Sequence, residues 1–448
     1  MKTNFCPKVL IIGETFRYTG GGGITLINLF KDWNADNLAV VTEKIQETTR
    51  ETNCNNFYRL GHLEMKFPFP FNLLNKIDDS GDVKLLSPNE ASKIKNIVKR
   101  NFKSSIKFEF EMTYYRFLIF LGIFNSNYRL KISEQLLNWV KDFSPDVIYA
   151  QPFSYKDMVF ALELKKASGI PIALHIMDDS VSFSNKPNLF YFHWKNKINN
   201  IFKQLVEVAD IHLSISEAMS EEYFKRYKKL FQPFRNPIDI DLWTPCIKRQ
   251  WSIGREVNII YTGRLAVPNI NALYTFCQAV ERINNEVLTV RLHIYSIDRN
   301  AKFTAQTSNF QSIRIHEPVP FDKIPSLVTK FDIALLPIDF TKRGIDYAKY
   351  SISTKTSEYM ISGVPILLFA PKQVALTKYA EKYRTMHVVD ENSQEKLFHA
   401  LKELISDEKL RSSLAMKAMA VAKSESNALN VRKCFREALA SFKEKNQV

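Results

Sequence analysis

Glycine is scarce in this chain. It accounts for 13 of 448 residues, and five of those are Gly13 and Gly20 to Gly23. That excludes collagen-like and glycine-rich low-complexity architectures, and it makes each glycine cluster an informative choice. Cysteine is equally thin: Cys6, Cys54, Cys246, Cys277 and Cys434 are odd in number, scattered and form no Cys-x-x-Cys pair. A disulfide framework and a structural zinc site are not expected, and a reducing compartment is. Long apolar runs are missing as well. The longest, 114–124, is broken by Arg116 and falls short of the ~20 residues that cross a bilayer. Residues 1–16 hold only a short apolar run before Gly13, against the roughly 7–15 residues of a secretory signal core. The expectation is a cytoplasmic protein that does not span the membrane.

Acidic residues are the minority charge. With 62 Lys and Arg against 47 Asp and Glu, the formal charge is +15. That balance favours phosphorylated substrates, nucleic acid or an acidic membrane surface as partners. Outside 93–107 the cations interleave with acids, so nucleic acid is not expected. What the chain does have is an ordinary globular composition, 45% hydrophobic and 24% charged, and length for two to four domains.

Short β-branched or apolar runs alternate with helical patterns. Runs at 8–12, 38–41, 146–150, 171–176 and 210–215 read as buried parallel strands, with helices at 24–32, 155–168 and 187–208. After 236 the pattern restarts, with strands at 257–262, 289–295, 312–316, 332–337, 365–369 and 385–389. Helical patterns at 268–283, 321–329, 354–362 and 393–405 fall between them. The alternation predicts an α/β protein with two Rossmann-like, doubly wound domains. The break is placed in 234–256, which holds Pro237, Pro245 and Gly254 and lacks helical periodicity. The domains are therefore expected at 1–236 and 237–425, with a last helix at 426–444. One segment departs from the alternation. Ser87-Pro88-Asn89-Glu90 is a capping box with Pro at the first helical position. Beyond it, Ile94, Val98, Phe102 and Ile106 recur every fourth residue beside Lys95, Lys99, Lys103 and Lys107. Residues 93–107 read either as a basic membrane-surface helix or as a surface helix packing its apolar stripe on the first domain.

Two constellations carry chemistry. The run Gly20 to Gly23 follows the first strand and opens a helix. Gly21, Gly22 and Gly23 let backbone approach a ligand, and the helix start suits an anion. The spacing is not G-x-G-x-x-G, which weakens a dinucleotide reading, and a turn without a ligand stays open. In the second half, strand VNIIYT runs into Gly263-Arg264-Leu265, placing an arginine at the carboxyl end of a strand. Later, Ser353, Thr354 and Lys355 open a helix containing Glu358. Such a helix start suits a diphosphate, and a carboxylate one turn in can accept from both ribose hydroxyls. A solvated helix start is the alternative.

These residues resemble those of the GT-B-fold nucleotide-sugar glycosyltransferases, closest to glycosyltransferase family 4. The resemblance covers most of the chain and is weakest over about 50–145. G-R-L at 263–265 is similar to the family's donor-phosphate turn, and S-T-K-x-x-E-Y-M-x-x-G-x-P from Ser353 to Pro365 to its nucleotide-binding helix. ADIHLSISEAMSEEYFKRY and RNPIDIDLW resemble the family's crossing between domains, which accounts for Asp239-Ile240-Asp241 without a metal. The glycine run resembles its acceptor-side loop. The departures are equally specific. The first of the family's two glutamates falls on Tyr350, its phosphate-clamping lysine falls near Asn269, and its His-Asp pair falls on Met177-Asp178.

The resemblance implies a metal-independent hexosyltransferase that retains configuration, with two domains facing a cleft and the last helix crossing back onto the first. Arg264, Ser353, Thr354, Lys355 and Glu358 would hold the donor nucleotide and its phosphates. His175 and Asp178 would touch the sugar, with Asp179, Tyr350 and the glycine run nearby, although a core histidine fits His175 too. No cofactor beyond the nucleotide-sugar is expected. The acceptor would be a saccharide or a lipid-linked saccharide used in surface polysaccharide synthesis, met at the inner membrane face through 93–107. A nucleotide-sugar epimerase or hydrolase of the same fold, and a silent partner of an active transferase, are the rival expectations.

Overall fold

The computed structural model describes residues 6–17, 20–43, 54–67, 77–83, 117–118, 120–121, 129–183, 188–284 and 289–442. The basic segment 93–107 lies outside the described residues. The chain divides into two units: Met1–Ser214 with Tyr223–Gln232 and Cys434–Val448, and Ile215–Glu222 with Pro233–Lys433. The boundaries fall at 214/215, 222/223, 232/233 and 433/434; the second lies inside helix Glu217–Tyr227, the third just before the proline-containing stretch at 234–256, and the last inside helix Ala428–Ala440.

The first unit carries an eight-stranded sheet. Its strand order is Gln232–Pro233, Ile211–Ser214, Ile172–Ile176, Val147–Ala150, Val9–Ile12, Leu38–Thr42, Asn56–Arg59 and Gly81–Asp82. Val9–Ile12 is buried at every position, as a strand covered on both faces must be. It pairs in parallel on both sides, with Ile11 opposite Val40 and opposite Tyr149. The last strand, Gly81–Asp82, is antiparallel to its neighbour.

The second unit is a six-stranded parallel sheet ordered Ile313–His316, Thr289–Tyr295, Glu256–Thr262, Ile333–Pro337, Ile366–Phe369 and His387–Val389. Its strands bury alternate residues in two separate cores. Val257, Ile259, Leu292 and Leu335 meet the helices Ile270–Asn284 and Gln394–Ser406 on one face. Ile260, Ala334, Leu336 and Leu368 meet Thr354–Ser362 and Ala375–Tyr383 on the other. Helices Glu134–Phe143, Lys342–Ala348, Ala375–Tyr383 and Glu408–Glu425 were not anticipated from the apolar pattern. In Glu408–Glu425 the side chains inside are mostly alanines, so no large-residue stripe marks the buried face.

Candidate functional site

In open parallel sheets, ligands gather at the carboxyl ends of strands where the strand order reverses. In the second unit that point lies between Glu256–Thr262 and Ile333–Pro337. The turn leaving the first of these strands is shaped by Tyr261. A Cβ on Gly263 would lie 2.5 Å from the Tyr261 hydroxyl, so glycine lets the backbone fold over that ring. The hydroxyl donates to Arg264 O at 2.9 Å and accepts from Asn269 Nδ2 at 3.0 Å. Asn269, at the position the resemblance gives to a phosphate-clamping lysine, therefore braces the turn. Arg264 is 56% exposed along its side chain and donates from Nε to Asp298 Oδ2 at 2.6 Å. The same oxygen accepts from Leu265 N at 2.9 Å. Asp298 holds the guanidinium by one edge and was missed by sequence reasoning. Its only signal is an acid three residues beyond the neighbouring strand Thr289–Tyr295.

Asp339 stands on the other side of the reversal. Its buried carboxylate accepts from Ala272 N at 2.8 Å and Asn271 Nδ2 at 3.0 Å, while its own N–H donates to Pro268 O. The arginine turn is thus tied to the next strand through the start of helix Ile270–Asn284. Burial pushes the Asp339 carboxyl up, and the Ala272 amide draws it back.

Helix Thr354–Ser362 completes the group. Ser353 caps it by accepting from Lys355 N, and Gly363, at φ 76°, ends it. Tyr359 accepts from Thr262 N at 2.7 Å, which fastens this helix to the strand that launches Arg264. Lys355 Nζ donates to Glu358 Oε2 at 2.9 Å, with the Glu358 side chain only 2% exposed. The other oxygen, Glu358 Oε1, is buried and accepts no hydrogen bond, and the neighbouring Thr356 hydroxyl is likewise unpartnered. A buried acceptor left unmatched costs about 1–3 kcal/mol, so the helix holds open a position that suits a hydroxyl donor. Tyr350 is half-buried; Lys349 Nζ lies 5.1 Å from its ring centre, and its carbonyl accepts from Ser216 Oγ.

In the first unit, the glycine run forms the start of helix Gly21–Phe30, with Gly20 at φ 103°. A Cβ on Gly22 would lie 2.7 Å from Glu14 Oε2, and one on Gly23 2.5 Å from Arg17 O. The chain's own 14–17 loop thus packs closely against the helix start, where side chains at Gly22 and Gly23 would obstruct it. Glu14 is paired with Arg17 at 2.9 Å. Beside this loop, at the carboxyl ends of Val9–Ile12, Leu38–Thr42 and Val147–Ala150, a cavity of about 370 Å³ is lined by Gly13, Glu14, Arg17, Glu43, Phe153 and Lys156, among others. Lys156 pairs with Glu43.

The sugar-side candidates fall in different settings. His175 is fully buried in strand Ile172–Ile176, and its Nδ1 lies 2.6 Å from the Tyr149 hydroxyl, which accepts from Gln151 Nε2. Asp178 is half-buried, and its carbonyl accepts from Ser180 N. Asp179 is engaged on every side: Arg226 NH1 at 3.1 Å from both oxygens, the Tyr223 hydroxyl at 2.9 Å and Ser182 Oγ at 2.6 Å. Its carboxylate braces the helix Glu217–Tyr227.

Residues 256–407 match the sequence pattern of the family described as glycosyl transferases group 1. No curated protein matches the chain significantly. Among solved structures, HepE of Anabaena, in complex with UDP and glucose, is 13% identical with a TM-score of 0.62, covering 97% of this chain and 100% of its own. Sucrose-phosphate synthase of Thermosynechococcus elongatus is 12% identical with a TM-score of 0.59, covering 97% and 99%. A Listeria monocytogenes protein described as a candidate UDP-N-acetylglucosamine 2-epimerase is 12% identical with a TM-score of 0.53, covering 98% of each chain. The chain has the GT-B fold and resembles the nucleotide-sugar glycosyltransferases built on it, the likeness resting on sequence over 256–407 and on fold elsewhere.

Proposed function

We propose that this protein transfers a hexosyl group from a nucleoside-diphosphate sugar to a saccharide or lipid-linked saccharide, in surface polysaccharide synthesis. The observation that carries the reading is the open acceptor position of Glu358, set in a group 1 glycosyltransferase region and fastened to the arginine turn by Tyr359. Glu358 takes a ribose hydroxyl. Arg264, Lys355 and the amides of Ser353 to Lys355 face the diphosphate. In the reaction the bond from the sugar's anomeric carbon to the phosphate oxygen breaks, and its electron pair leaves with the diphosphate. The acceptor hydroxyl oxygen forms the new bond to that carbon, and its proton passes to the departing diphosphate oxygen. Positive charge fixed before the reaction stabilises the leaving group, so no divalent ion is required.

The first unit supplies the acceptor side. Its cavity combines the apolar wall of Phe153 with paired charges, Glu14–Arg17 and Lys156–Glu43, which offers hydrogen bonds to hydroxyls without a net field. Asp178 and His175 are proposed at the sugar side, Tyr149 setting the imidazole's orientation. Asp179, Tyr350 and Gly21 to Gly23 shape the surroundings, and configuration is retained. Docking of 93–107 on an anionic inner membrane face would bring a lipid-linked acceptor within reach.

The test is turnover of UDP- and GDP-sugars in the presence of EDTA, with and without oligosaccharide and lipid-linked acceptors. Nucleotide release that depends on acceptor, with a new glycosidic product, is expected. Donor consumed equally without acceptor would instead assign the epimerase or hydrolase reaction, the reading that the likeness to the Listeria protein favours.

A further inference from the structure

The first unit exposes an apolar patch that the transferase reading does not use. Phe117, Phe120, Leu189, Phe190 and Phe192 are between 55% and 77% exposed. They come from two short segments held side by side, Leu189 N donating to Phe120 O at 3.1 Å. Phe192 lies edge-on to Tyr191 at 5.4 Å, which makes the rim of the patch aromatic. Five large exposed apolar side chains in so small an area leave a hydration cost that scattered ones do not, and such patches mark interaction surfaces.

The charges around the patch select the partner. Helix Tyr191–Val208 starts at the patch, and Lys195 and Lys197 follow within two turns; its sole acid, Glu207, stands at the far end. Lys197 is half-buried, its ammonium 4.9 Å from the ring centre of the buried Trp194. Lys195 is exposed beside Tyr191, 6.0 Å from that ring centre. A protruding Phe and Leu cluster flanked by Tyr191 and by lysines matches the boundary between acyl chains and anionic headgroups. Among the described residues no helix is long and apolar enough to cross a membrane, so such a contact would be peripheral.

We propose that Phe117, Phe120, Leu189, Phe190 and Phe192 insert into the surface of an anionic bilayer, with Lys195 and Lys197 on its headgroups. These residues lie outside 93–107 in the sequence, and the proposal does not depend on what the protein catalyses.

The experiment is co-sedimentation of the full chain with vesicles of phosphatidylcholine alone and with 30% phosphatidylserine (~30%, enough for a strongly anionic surface). Wild type is expected to pellet with the anionic vesicles and to retain part of its binding at moderate salt, because apolar insertion is not screened. Phe190→Ser with Phe192→Ser should weaken binding by at least about tenfold at every salt concentration, the scale of losing two inserted aromatic rings. Lys195→Glu should weaken it only on anionic vesicles and mainly at low salt. Substituting Lys95, Lys99, Lys103 and Lys107 by Glu should leave the effect of the phenylalanine pair intact. Unchanged thermal melting shows that the variants are folded. A wild type that stays in the supernatant, or a phenylalanine variant that pellets like wild type, overturns the proposal. So does sedimentation velocity showing a dimer that the phenylalanine variant abolishes, since the patch would then be a self-association face.

Discussion

Glu358 and Arg264 make different demands on the donor, and the two can be separated by substitution. Glu358→Ala removes a charge-assisted acceptor from a nearly dry position. Binding of the cognate nucleoside diphosphate should weaken by about 1.5–3 kcal/mol, measured by calorimetry. Arg264 acts on charge that develops as the diphosphate leaves. Arg264→Ala should therefore lower kcat by roughly 10²-fold or more, while nucleoside affinity changes little. Asp298 is a positioning residue, because its carboxylate holds Arg264 Nε and Leu265 N. Asp298→Ala should lower kcat in the same direction without moving nucleoside affinity, and in an Arg264→Ala background it should have little further effect. A separate, additive loss would show that Asp298 acts in another way. The positions of Arg264 just after a strand end and of Glu358 in a helix's second turn were legible in the sequence. Asp298 and Asp339 were not, because each acts across a gap in sequence that only the sheet order closes.

At the scale of elements, strands buried on both faces were readable as apolar runs, and the helix Thr354–Ser362 was placed to the residue. Amphipathic helices such as Lys342–Ala348 escaped because a seven-residue segment carries too few apolar positions to show a period. The glycine run is expected to be a ligand-facing loop or a turn without a ligand; in the structure, Glu14 and Arg17 are among the groups that its missing Cβ atoms let approach. Gly23→Ala would drive a methyl into the Arg17 carbonyl, and overpacking of this kind costs about 1–3 kcal/mol. A lowered melting temperature is the expected readout.

A second prediction at this scale concerns pH. His293 and His316, on adjacent strands, face each other at 3.0 Å, and His293 also meets Asn258 Oδ1 at 3.0 Å. Burial, then the neighbouring His316, lowers the His293 pKa from 6.5 to about 4. Glu256 opposes that shift, while Arg291 and Arg314 reinforce it. Between these values the unfolded chain binds the proton and the folded one does not. Stability should therefore be fully present above about pH 6.5 and fall as pH drops towards 4. His293→Asn should flatten the melting temperature over that window; an unaltered profile would remove this pair from the acid response.

For the whole molecule, the two-sheet organisation followed from a pattern that restarts after residue 236; a last helix over 426–444 belonging to the first domain is expected, and the units divide inside helix Ala428–Ala440, at 433/434. A boundary inside a continuous helix leaves no mark of proline or glycine. The account also predicts that chelation leaves transfer intact, because every charge offered to the diphosphate is a side chain or an amide of the second unit. A loss of activity in EDTA that Mg²⁺ or Mn²⁺ restores would replace that with metal-assisted departure of the nucleotide.

The central claim is that the second unit binds a nucleoside diphosphate through Arg264, the start of helix Thr354–Ser362 and Glu358. Calorimetric titration of the full chain with UDP, GDP and ADP, in parallel with Glu358→Ala, tests it most directly. The account predicts that one of the three binds with a stoichiometry near one (about 1:1) and that Glu358→Ala weakens it by at least about tenfold. Binding of none of them, or equal affinity for wild type and a folded Glu358→Ala protein, would contradict it.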